Sequence, residues 1–242
     1  MQSRNFRLQK VGNLGWLERN YQFQKIAFSL DELIVLNAGK ESKSMNDFAE
    51  MITKLVNDVF IPIAAGGGIK SMEDAELLFN SGADKIVLNS VLIENPELVK
   101  QLVVKYGSQS IVGSIDYKSK NGICEIYVND GTCKLDMGLP EYLKYLEDLQ
   151  IGEIYLNSID MDGTGFGYDF GNINNIMASI KLPLIIAGGA GNEKHLMQGL
   201  KLTGVSAVAT ANLFNFIGDG LPNARKHLID AGENLANWDV NS

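Results

Sequence analysis

The chain has 242 residues, 45% of them hydrophobic and 21% charged, and a formal net charge of −8. That is enough for one large core, while the negative balance and the scattered Lys and Arg argue against nucleic-acid binding and leave room only for a small, locally held anion. No apolar run reaches the roughly 18 residues that cross a bilayer, and the polar start "MQSRNFRLQK" has no secretory core, so a cytoplasmic protein with no membrane partner is expected.

Along the chain, short β-rich runs alternate with amphipathic stretches. The runs are "DELIVLN" (31–37), "FIPIAAGG" (60–67), "DKIVLNS" (84–90), "SIVGSID" (110–116), "EIYLNSID" (153–160), "LPLIIAGG" (182–189) and "SAVATANLF" (206–214). Continuous apolar runs bounded by Gly, Asp or Asn are the pattern of buried parallel strands. Between them, "SMEDAELLFNSG" places Ser71 as an N-cap with Asp74 three residues on and Gly82 as terminator, and "NPELVKQLVVKYG" places Asn95 as cap, Pro96 at the first helical position and Gly107 at the end. Cys124 and Cys133, either side of "NDG", could face each other across a hairpin, but without CxxC spacing or nearby histidines they read as reduced thiols. His195 and His227 fall in helical stretches without ligand spacing, so no metal and no cofactor is expected.

Strand and helix alternating every 20 to 30 residues indicate βα units, in an open doubly wound sheet or a closed barrel. An internal repeat favours the barrel. Glu32 and Glu153, Pro62 and Pro183, Gly67 and Gly188 are each 121 residues apart, and Gly82 and Gly204 are 122 apart. No GxGxxG opens the first strand-to-helix turn, as a Rossmann sheet requires. The expectation is one (β/α)8 barrel domain over 1–242, made of half-barrels at about 1–118 and 119–242.

Gly66-Gly67-Gly68 and Gly188-Gly189-Ala190-Gly191 end strands where helices are about to begin, positions from which backbone N–H groups can hold phosphate. A plain reading has these glycines only permitting tight turns. Asn37, Asn89, Ser90, Asp116, Asn157, Ser158, Asp160, Asp162 and Thr164 also follow apolar runs, at the rim where barrels keep their chemistry. Asp116 and Asp162 could trade protons as acid and base, although each aspartate singly could be a cap or brace.

The motifs "AGGGI", "GADKIVLN", "GSQSIVGSID", "GEIYLNSIDMDGTGFGYD" and "GGAG" resemble those of the cyclase subunit of imidazole glycerol phosphate synthase, a (β/α)8 barrel, from about Asn5 onward. The resemblance implies that ammonia from a glutaminase subunit, in a heterodimer, crosses the barrel to a substrate with two phosphates. It makes Asp116 the fifth-strand catalytic aspartate. Gly68, Asn89 and Ser90 would hold one phosphate, Asp162, Gly163, Gly189 and Asn212 would lie near the other, and Gly67, Asn157, Gly188 and Ala211 would complete the site. Glu32, Asp84, Lys85 and Glu153 would form the ammonia gate and partner face, although strand-start charges can also simply pair with each other.

The family's first strand, which carries a second catalytic aspartate and a gate arginine, precedes the residues that match Asn5-Phe6, so that strand is expected to be missing from this chain. Asn37 stands where the family has aspartate. The opening "SRNFRLQKVGNLGWLERNYQF" is similar to a paralogue branch found with surface-polysaccharide genes, which implies a further partner, an amidotransferase acting on a sugar nucleotide. A histidine-pathway cyclase and a non-catalytic ammonia conduit or truncated remnant are the competing readings.

Overall fold

The computed structural model describes residues 2–4, 6–9, 14–21, 28–38, 44–211 and 219–236. A small antiparallel pair, β1 (Gln2–Arg4) and β2 (Arg7–Gln9), and helix α1 (Leu14–Tyr21) come first. The apolar runs then become parallel strands with helices between them: β3 (Leu33–Leu36), α2 (Met45–Asp58), β4 (Ile63–Gly66), α3 (Met72–Asn80), β5 (Lys85–Leu88), α4 (Val91–Glu94), α5 (Pro96–Tyr106) and β6 (Ile111–Lys120). Strands β7 (Ile123–Val128) and β8 (Cys133–Gly138) follow, then α6 (Leu139–Asp148), β9 (Glu153–Ser158), α7 (Phe170–Ile176), β10 (Leu184–Ala187), α8 (Glu193–Leu200), β11 (Val205–Val208) and α9 (Gly220–Asp230).

The sheet order is β11-β10-β9-β6-β5-β4-β3, so each parallel strand lies beside its predecessor and the order never reverses. A doubly wound sheet must reverse at its switch point. This winding is that of a (β/α)8 barrel, with seven parallel strands among the described residues. The outer edges of β3 and β11 pair with no described strand, and β1 and β2 form a sheet of their own.

The local signals act as the sequence predicts. Ser71 Oγ accepts the Asp74 N–H at 3.2 Å and Asp74 Oδ2 accepts the Ser71 N–H at 3.1 Å, a reciprocal cap that starts α3. Asn95 caps α5 ahead of Pro96, and Gly107, at φ +83°, ends it. Side chains alternate across the strands into two layers. Ala64, Val87 and Val112, with Ile34 and Tyr155, pack inside the curl, while Ile63, Ile86, Ile111 and Ile154 pack outward against helix residues such as Ile52, Leu78 and Leu102. Each fully buried Leu or Ile of that outer layer contributes about 2 kcal/mol.

Two elements depart from the expected strand boundaries: β11 ends at Val208, short of the run that continues to 214, and β6 is longer than expected. β6 continues past Asp116 to Lys120 and folds back through β7 and β8. Asn121 and Gly122, at φ +53° and +76°, make the first turn, since both conformations suit a tight hairpin. The cysteines lie on this hairpin without meeting: Cys124 is opposite Ser119 and Cys133 opposite Val128.

The last helix is tied to the start of the sheet by one buried side chain. Arg225 Nη1 and Nη2 donate to the two carboxylate oxygens of Asp31 at 3.1 and 2.9 Å, and its Nε and Nη2 reach the Ala236 carbonyl at 3.1 and 2.7 Å. The planar fork suits both acceptors at once. Asp31 itself is largely exposed, so truncation costs mainly the packed stem and the two hydrogen bonds to the Ala236 carbonyl. Arg225→Ala should lower unfolding free energy by about 2 kcal/mol, measured by urea denaturation, and Arg225→Lys should recover less than half of that loss.

Candidate functional site

The site begins with the register of three strands. Asp116 of β6 is opposite Asn157 of β9, so the two side chains share a face, and Asn89 follows β5 at the level of Ser114. Asn89 Nδ2 donates to Asp116 Oδ2 at 3.2 Å and to the Ser114 carbonyl at 3.1 Å, while Asn157 Nδ2 donates to Asp116 Oδ1 at 3.4 Å. Asp116 is only 9% exposed. Burial pushes its pKa up to about 7, against the Asn157 hydrogen bond and with the charges of Asp130 and Asp162 adding to the rise. A carboxyl that titrates near neutrality can both take and give a proton.

The glycine turns flank this carboxyl. Gly67 and Gly188 have φ of +95° and +90°, and a Cβ on either would lie 2.6 Å from a neighbouring carbonyl, that of Asn37 or of Ser158. Asn37 and Ser158 are themselves 121 residues apart, so the repeat preserves a backbone contact that only glycine permits. The next glycines differ. A side chain at Gly68 would meet only Met45 Cε, at 3.9 Å, whereas one at Gly189 would strike the Gly167 carbonyl at 2.0 Å. Among the described residues the first turn is therefore open toward the cavity, and the second is covered by the Gly163–Gly167 loop, whose Gly167 N–H donates to the Gly189 carbonyl at 2.8 Å.

One cavity of about 1430 Å³ joins these features. Its lining includes Gly67, Gly68, Asn89, Ser90, Asp116, Asn157, Asp162, Gly163, Gly188, Gly189 and Ala211 near the strand ends, and Glu32 and Glu153 near the strand starts. Asn212 lies outside the described residues. Asp162 Oδ2 accepts the Phe6 N–H at 3.4 Å. Asp160 and Thr164 act as braces: Asp160 accepts the Ser119 N–H at 2.8 Å, and Thr164 donates to the Met161 carbonyl at 2.8 Å.

At the other end Lys85 Nζ bridges Glu32 and Glu153 at 2.8 and 3.0 Å. Burial pulls the lysine pKa down, but its hydrogen bonds and the two carboxylate charges outweigh this and hold it above the usual value. Glu32 Oε1 is buried without a partner among the described residues. Asp84 stands apart from the trio; its carboxylate accepts the Ile63 N–H at 2.8 Å and braces the start of β4.

Two features went unread in the sequence. His195 Nδ1 accepts the Gly191 N–H at 3.1 Å, so its ring buttresses the second glycine turn from the first helical turn of α8. The β7–β8 tip reaches the cavity through Asn129 and Asp130. Asn129, Asp130 and Gly131, all at positive φ, were visible as a turn, but their position over the rim depends on β6 running four residues beyond Asp116. Among the described residues, no three His, Cys, Asp or Glu side chains are grouped as metal ligands, and no helix is long and apolar enough to cross a membrane.

Fold and site together define a (β/α)-barrel protein with a buried carboxyl of raised pKa at the C-terminal ends of its strands. Residues 17–218 match the family model described as Histidine biosynthesis protein. A relative in Parasynechococcus marenigrum, whose name designates it provisionally as imidazole glycerol phosphate synthase subunit hisF2, is 42% identical over 98% of this chain and 88% of its own. Imidazole glycerol phosphate synthase subunit HisF of Dictyoglomus thermophilum is 34% identical over 92% of this chain and 86% of its own, and that of Pyrobaculum aerophilum 36% identical over 84% and 79%. The chain belongs to the histidine-biosynthesis barrel family, among the HisF-like synthase subunits.

The raised pKa of Asp116 makes a signed prediction. The folded state holds this proton to about pH 7, whereas an unfolded aspartate releases it near pH 4, so the folded state binds more protons between these values. Stability contributed by the neutral carboxyl is complete below about pH 4 and is lost as pH rises through 7. Asp116→Asn should therefore raise unfolding free energy by up to about 4 kcal/mol near pH 8 and by almost nothing near pH 4, as read by urea denaturation at both pH values.

Proposed function

We propose that this chain is the ammonia-using synthase subunit of a two-protein enzyme, joined as a heterodimer with a HisH-like glutaminase and acting on a small substrate with phosphate at both ends. The observation that carries the reading is Asp116, a buried carboxyl with a pKa of about 7, held by Asn89 and Asn157 in the cavity that the two glycine turns also line. In this reading one phosphate sits against Gly68, Asn89 and Ser90, where the turn is open, and the other sits toward Asp162, Gly163 and Gly189. Asp116 takes a proton from the attacking nitrogen and returns one to the departing group, tasks for which a pKa near the working pH is best.

The Glu32–Lys85–Glu153 trio lies where ammonia would enter. Ammonia passing from there to Asp116 stays within one cavity and crosses the layer of Ile34, Val87 and Tyr155, an apolar passage that discourages its protonation. The reading extends to a role in supplying ammonia for amidination of a sugar nucleotide, with a separate amidotransferase as third partner; its support is the sequence opening and Asn37 in place of aspartate.

The test combines the chain with a HisH-like glutaminase. A stable complex with glutaminase activity raised at least tenfold is expected, and Asp116→Asn should cut ammonia-dependent turnover at least 100-fold, the usual range for a lost acid–base group, without dissociating the complex. Unchanged turnover in Asp116→Asn, or no complex, refutes the reading. Efficient cyclisation of the phosphoribulosyl carboxamide precursor would assign the chain to histidine synthesis instead. Lys85→Met should depress glutamine-dependent turnover several-fold more than turnover with added ammonia, as steady-state rates with each nitrogen source would reveal.

A further inference from the structure

The β7–β8 tip crosses the mouth of the cavity and is anchored on both sides. On one side the Asn129 N–H donates to Ser90 Oγ at 3.0 Å, and that hydroxyl donates in turn to Asn89 Oδ1 at 3.3 Å. On the other side Gly131 packs so closely on Phe6 that a Cβ there would lie 2.9 Å from its ring, and the Phe6 N–H reaches Asp162 at 3.4 Å. The tip thus spans from the residues beside the first glycine turn to those beside the second. Asp130 sits between the anchors at φ +56°, a conformation aspartate tolerates better than most residues. It lines the cavity, and its carboxylate makes no hydrogen bond or ion pair among the described residues.

The charge around Asp130 restricts what it can meet. Asp116, Asp162, Asp74 and Glu94 also line the cavity, against Lys70 and Arg225, and Arg225 is already paired with Asp31. A third anionic group in the middle of a ligand would face carboxylates on several sides, whereas hydroxyl or amine donors would find an unoccupied acceptor.

We propose that the tip roofs the cavity and that Asp130 is a specificity-determining residue, accepting hydrogen bonds from donors midway between the two phosphates of the substrate. This rests on the bisphosphate reading above. The register supports the placement: Tyr127 is opposite Asp116, so the tip that follows Val128 turns back at the level of that carboxyl.

Two open-chain probes of equal length separate the possibilities by calorimetry: glucitol 1,6-bisphosphate, with hydroxyls between its phosphates, and hexanediol 1,6-bisphosphate, without them. The natural chain should bind the hydroxylated probe about tenfold more tightly, the size of a hydrogen bond to a charged acceptor. Asp130→Gly, which suits the positive φ and so spares the fold, should bring the ratio close to one while leaving the affinity for hexanediol bisphosphate within twofold. Asp130→Asn, which keeps an acceptor, should restore most of the preference. A ratio near one in the natural chain, or one unchanged in Asp130→Gly, overturns the role of Asp130 alone. If the natural chain binds neither probe, the bisphosphate reading fails and this inference fails with it.

Discussion

The ladder register between β5, β6 and β9 is the constraint on which the site depends. Because side chains alternate across a strand, the pairing of Asp116 with Asn157 sends both inward, and a slip of one residue would turn Asp116 toward the helices. That register is enforced by burial on both sides of the sheet. Ile111 and Ile115 fill the outer layer and Val112 the inner one, so slippage would exchange apolar for polar groups along the whole strand. The raised pKa of Asp116 is a consequence: the strands that align it also remove water from it.

The two glycine turns show how a repeat can keep its geometry and lose its equivalence. Gly67 and Gly188 share φ values and the same close contact with a neighbouring strand. This supports the plain reading of these two glycines as backbone necessities. Gly68 and Gly189 differ because the loop that follows β9 folds over Gly189, and among the described residues nothing comparable folds over Gly68. A symmetric sheet thus presents an asymmetric mouth, as a ligand with unlike ends would need.

Most of the scaffold was legible because its signals are local. The caps at Ser71 and Asn95, the terminators Gly82 and Gly107, and the seven apolar runs each depend on a few neighbouring residues. The extension of β6 was missed although Asn121-Gly122 is a strong hairpin signal, because a run ending in "SID" already read as a finished strand. His195 was read correctly as helical, yet its hydrogen bond to Gly191 arises from the way α8 leaves the turn. Asp84, beside Lys85 in sequence, turns to the β4 backbone and not to the gate, since adjacent residues at a strand start point to opposite sides.

By itself, the sequence determined that strands and helices alternate, where the helices after Ser71 and Asn95 start and stop, and that two glycine turns recur with a period of 121 residues. These are properties of short segments and of composition, and they hold in whatever way the segments pack. Only the tertiary structure decided that strand order never reverses, that Asp116 is buried, that Lys85 pairs with Glu32 and Glu153, and that Asp130 lines the cavity. Each of these depends on residues far apart in the chain being brought to one place, and the exclusion of water that tunes a carboxyl or strengthens an ion pair exists only after that packing is complete.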